Sequence, residues 1–142
     1  MAGVSGIADR VGAARSLPEL LCAACEAFEV ILTVIREHDQ PDSELFVPMV
    51  MAGASAGNGR DHVLFAPSLS PRMVSPNGAA QDGGPAMTSQ EAAGWLARVS
   101  RVLAARLTAA AASAVLAGDR DASLGAAGCA QEVLALMGSG CW

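Results

Sequence analysis

The stretch from Ser16 to Asp39 (SLPELLCAACEAFEVILTVIREHD) constrains this chain most, because its start signal, apolar period and stop signal agree. Ser16 followed by Glu19 has the pattern of a capping box, in which hydroxyl and carboxylate each accept from the other residue's amide. Pro18 falls in the first turn, where its missing N–H removes no helical bond. Leu17, Leu21, Ala24, Phe28, Ile31, Ile35 and His38 recur at alternating steps of four and three, which puts them on one helical face. Pro41 stops the run. A helix over 16–39 follows. Its stripe grows from the small run Cys22-Ala23-Ala24-Cys25 to Phe28, Ile31, Leu32 and Ile35, so a matching partner should be graded as well.

The next segment supplies such a grading. The linker at 39–42 is short enough to send a following helix back antiparallel. With Ser43 as cap, that second helix is expected over 43–57, kinked or restarted at Pro48. Leu45, Phe46, Met49 and Val50 would then meet Phe28, Ile31, Leu32 and Ile35, while Ala52, Ala54 and Ala56 would meet the Cys-Ala-Ala-Cys end. Thr88 and Glu91 form another capping box and open a third helix, expected over 89–117, with a stripe through Leu96, Val99, Leu103 and Leu107. Gly118-Asp119 should break it, and a fourth helix over 120–137 should end at Gly138. In this second pair Ala109 to Ala114 and Ala122, Gly125, Ala126 and Gly128 lie near the turn. Trp95, Leu96, Val99 and Leu103 would face Val133, Leu134 and Met137. Small residues on both sides allow helix axes to approach closely.

These elements predict an all-α fold: a four-helix bundle of two antiparallel αα-hairpins joined by a long irregular connection at 58–88. The prolines at 67, 71, 76 and 85 exclude a long helix there, and Ser75 to Ala86 has the composition of a mobile segment. Val63, Leu64 and Phe65 could pin one end of the connection to the bundle. Residues 1–15, interrupted by Gly6 and Gly12, form an N-terminal arm or a short docked helix. One domain over 1–142 accounts for the length.

Alanine supplies much of the apolar content, Tyr is absent, and only two Trp and three Phe are present, so the core is thin. A buried methyl contributes about 0.8 kcal/mol, against roughly 1.5–3 kcal/mol for a buried Leu or Ile. A thin core favours association, and a homo-oligomer or protein partner is expected. The formal charge is −5, with nine basic and fourteen acidic residues, which argues against nucleic acid as partner. Glu19, Glu26 and Glu29 interrupt the most apolar helix, and the uncharged run after Arg106 ends at Gly118, so no membrane span is expected. The first fifteen residues lack the apolar run of a secretion signal, and a cytoplasmic location is the expectation.

Three groups of side chains could carry chemistry. Cys22 and Cys25 have the spacing of a redox or metal pair, which Cys129 or Cys141 could extend. They lie in the second turn of a helix with no preceding strand, and small packing residues are the simpler account. The segment Gly57-Asn58-Gly59-Arg60-Asp61-His62 follows a helix where glycine and asparagine are ordinary caps. Arg60 and His62 are nonetheless candidate ligand-binding residues, as are Arg98 and Arg101, which share one side of the third helix. Glu26, Glu29 and Glu37 lack the Glu-x-x-His pairs of a di-iron bundle, and a solvated face paired with Arg98 and Arg101 is the plainer assignment. His38 has the position of a C-terminal cap. No catalytic set and no cofactor is indicated. The sequence supports a non-catalytic, self-associating helical interaction protein. The alternatives are a small-molecule binder or enzyme with an apolar pocket between the hairpins covered by 58–88, and a thiol redox or metal protein using Cys22 and Cys25.

Overall fold

The computed structural model describes residues 6–69 and 87–138; Ser75 to Ala86 and the tail with Cys141 and Trp142 lie outside the described residues. Among the described residues there are five helices and no strand: α1 (Ile7–Ala13), α2 (Leu17–His38), α3 (Phe46–Leu64), α4 (Ser89–Ser113) and α5 (Ala117–Gly138). The fold is all-α, as the periodicity implies. No described helix is long and apolar enough to cross a membrane.

The caps explain where α2 and α4 start. The Ser16 hydroxyl accepts from the Glu19 amide at 3.3 Å, but the Glu19 carboxylate takes the Arg15 amide at 2.9 Å, so the reciprocal half of that box goes to the preceding residue. At α4 both halves are present, with Glu91 N–H donating to Thr88 Oγ1 and Thr88 N–H to the Glu91 carboxylate. At the far end of α2, His38 Nδ1 lies 3.3 Å from Ser89 Oγ, so its imidazole ties this helix to the start of α4.

Helix α3 departs most from expectation. Ser43 is not its cap: the Ser43 hydroxyl accepts from the Leu45 amide in a turn, and the helix starts at Phe46, which brings Pro48 into the first turn where no bond is lost. The helix then runs through Gly57 and Gly59 to Leu64, so the first seven residues of the expected irregular connection are helical. Gly59 is there for space. A Cβ at that position would lie 2.6 Å from the Phe28 ring and 3.2 Å from Cys129 Cβ. Val63 is buried, whereas Leu64 and Phe65 face solvent and pin nothing.

The register of the first hairpin also differs. Gly53 packs against Ile35, Gly59 against Phe28, and Arg60 pairs with Glu29, so the large residues of α2 face the small residues of α3. Bulk fills the space that glycine leaves. In the second pair Gly138 approaches Ala97, which sets Met137 and Val133 at the Trp95 to Leu103 end and the small residues near the turn, as the sequence implies. The break falls at Ala114, where ψ is 133°, and not at Gly118-Asp119. Those two residues open α5 because both are engaged: Asp119 accepts from the Ser68 amide at 2.9 Å and its hydroxyl at 2.5 Å, and Gly118 lies against Pro67.

In cross-section the bundle has the cyclic order α2, α3, α5, α4, each helix packing on its two neighbours. Helix α1 closes the groove between α2 and α4, with Ile7 and Val11 fully buried. Arg10 on α1 forms an ion pair with Glu26. Arg106 of α4 donates to the Ala14 carbonyl and holds the end of this short helix.

Candidate functional site

The outer side of α3 carries the strongest surface feature. Leu45 and Met49 point into the core and are fully buried, so the residues between and beyond them must turn outward. Val47, Val50 and Met51 remain 62, 46 and 53% exposed at i, i+3 and i+4, and exposed Ala54 extends the row by one turn. Apolar residues surround this half of α3, yet only two helices and the turn cover it.

A groove of about 460 Å³ between α3 and α5 continues this side of the molecule. Phe65, 84% exposed, and Leu124 form its apolar end. Asp61, His62 and Glu132 edge it, and Glu132 accepts from the Ser55 hydroxyl at 3.3 Å. The His62 imidazole lies over Gly125, where an added Cβ would come within 2.6 Å of Nδ1. The result is an exposed apolar strip edged by polar side chains.

The other sequence candidates are scattered. Arg60 is committed to Glu29 at 3.7 Å and to Asp61 at 3.8 Å. Arg98 and Arg101 are exposed on α4, across the diagonal of the bundle from α3, so they do not join Arg60 and His62 in one site. Glu26 pairs with Arg10 and Glu29 with Arg60 in place of the expected α4 arginines. Cys22 and Cys25 are buried and are not joined in a disulfide. Burial, and then the nearby Glu29, pushes the Cys25 thiol up to about 11; burial and Glu26 raise that of Cys22. Cys22 Sγ is 4.0 Å from a Glu26 carboxylate oxygen. Such thiols are protonated near neutral pH and are weak nucleophiles and poor metal ligands. Among the described residues no three His, Cys, Asp or Glu side chains converge as a metal site would require.

Sequence reasoning assigned Phe46 and Val50 to the core and overlooked Val47 and Met51. The available signal was the absence of a polar side in residues 46–56: a helix apolar all round must be covered on every side. Compared with known families, curated proteins and solved structures, the chain gives no significant match.

Proposed function

We propose that this chain is a non-catalytic helical interaction protein that self-associates through the outer side of α3. The observation that carries the reading is the row Val47, Val50 and Met51, three large apolar side chains left about half exposed side by side on one face of α3. Removing each from water in an interface is worth on the order of 1 kcal/mol. Phe65 and Leu124 extend the apolar area along the α3–α5 groove, and Asp61, His62 and Glu132 supply a polar edge. A second copy is the partner, because one apolar face can pair with its twin about a two-fold axis without a complementary surface elsewhere. The formal charge of −5 disfavours nucleic acid. Cys22, Cys25 and Cys129, none of them in a disulfide, suit a reducing cytoplasm.

Sedimentation equilibrium tests this directly. The wild-type chain is expected to be a dimer, and Met51→Glu, a change at an exposed position, is expected to be monomeric with an unchanged helical circular dichroism spectrum. A wild-type chain that is monomeric at its highest soluble concentration overturns the reading. So does a dimer that survives both Met51→Glu and Phe65→Ser.

A further inference from the structure

A second feature lies at the opposite end of the bundle from the start of α3, where the junction of α1 and α2 meets the turn between α4 and α5. A cavity of about 540 Å³ opens there, well within the range of small-molecule sites. Leu17, Leu20 and Ala110 form apolar wall, and Val115 and Leu116 stand at the mouth, 93 and 50% exposed. Two arginines, Arg15 and Arg106, line the same space. Arg106 spends one Nη on the Ala14 carbonyl, while its Nε is buried without a hydrogen-bond partner, which is costly for a charged donor.

We infer that this cavity binds a small organic monoanion, a carboxylate on an apolar chain, with its head at Arg15 and Arg106 and its tail along Leu17, Leu20 and Leu116. The charge balance selects one negative charge. Two arginines share the lining with the single carboxylate of Asp119, whose two oxygens are already taken by Ser68. The remaining polar surface favours neither a second charge nor a sugar: the Ser113 hydroxyl is turned back to the Ala109 and Ala110 carbonyls at the end of α4, and Arg120 is bonded to the Ala114 carbonyl. A planar carboxylate matches the fork of N–H donors that a guanidinium presents. The site is independent of self-association through α3.

Octanoate is the probe, titrated into the full, isotope-labelled chain and followed by amide chemical shifts, with hexanoate, octan-1-ol and inorganic phosphate alongside. Octanoate should produce saturable shifts at Leu17, Leu20, Ala110 and Leu116. Each buried methylene is worth about a fourfold change in affinity, so hexanoate should bind roughly fifteenfold more weakly. Arg106→Gln should weaken octanoate by about tenfold or more. Because Arg106 also holds the end of α1, Arg15→Gln, at an exposed side chain, and Leu116→Glu at the mouth serve as independent variants; both should weaken binding with the amide spectrum otherwise retained. Absence of saturable shifts at these amides, equal binding of octan-1-ol, tighter binding of phosphate, or unchanged affinity in both Arg15→Gln and Leu116→Glu overturns the inference.

Discussion

Replacing Gly59 by alanine sets two opposed effects against each other, and their magnitudes decide the sign. Alanine in a helix interior is favoured over glycine by about 0.8–1 kcal/mol. Against this, the new methyl would lie 2.6 Å from Cε1 and Cζ of Phe28 and 3.2 Å from Cys129 Cβ. Phe28 is fully buried and Cys129 is 6% exposed, so neither can retreat into solvent. Overpacking of this kind costs roughly 1–3 kcal/mol, and with no room to yield the upper half applies, leaving Gly59→Ala less stable by about 1–2 kcal/mol. Gly94, also helical but exposed with nothing within 4 Å of its Cβ direction, isolates the propensity: Gly94→Ala should stabilise by about 0.5–1 kcal/mol. Gly125 is the intermediate case. Its methyl would meet His62 at 2.6 Å, but that ring is exposed and can swing aside, so Gly125→Ala should be neutral or mildly stabilising. Urea unfolding at one fixed protein concentration measures all three, with unchanged slopes licensing comparison of midpoints. Phe28→Leu combined with Gly59→Ala should recover about 0.5–1 kcal/mol relative to the sum of the single changes. A Gly59→Ala protein as stable as Gly94→Ala, or strict additivity with Phe28→Leu, would refute the register of α2 on α3.

Two further outcomes follow from other contacts. Asp119→Ala leaves the Ser68 amide and hydroxyl without their acceptor at the start of α5, and thermal or urea unfolding should record a loss of roughly 1–3 kcal/mol; a neutral result would mean that the Ser68 tether does not hold the turn. Folding raises the Cys25 thiol from 9.0 to about 11, chiefly by burial. Between these values the unfolded chain has lost the proton that the folded chain keeps, so stability is complete below about pH 9 and declines as pH rises towards 11. Cys25→Ala should flatten that decline. Native thiol labelling near neutral pH should be slow and should accelerate on unfolding, and rapid native labelling of Cys25 would contradict its burial.

Much of the architecture was legible because helix signals act over a few residues. The Thr88 and Glu91 box locates the start of α4, and the stripe from Leu21 to Ile35 gives the buried side of α2. The α3 boundaries failed for the same reason. Ser43 has the chemistry of a cap but spends its hydroxyl on a local turn, and Gly57 and Gly59 have the chemistry of a terminus but serve a contact with residues far away in the chain. The α3 face was half legible, as a helix without a polar side; the cavity was not, since Arg15 and Arg106 belong to segments with no shared local pattern.

Sequence alone therefore determined an all-helical chain, the places where α2 and α4 begin, and the side of α2 that is buried, because caps and apolar period are properties of neighbouring residues. Tertiary structure decided the register of α3 on α2, the cyclic order of the bundle, which apolar residues remain in water, and the gathering of two arginines around a cavity. Those depend on which side-chain volumes fit together across the molecule: Phe28 needs the space at Gly59, and that single fit aligns α3 against both α2 and α5.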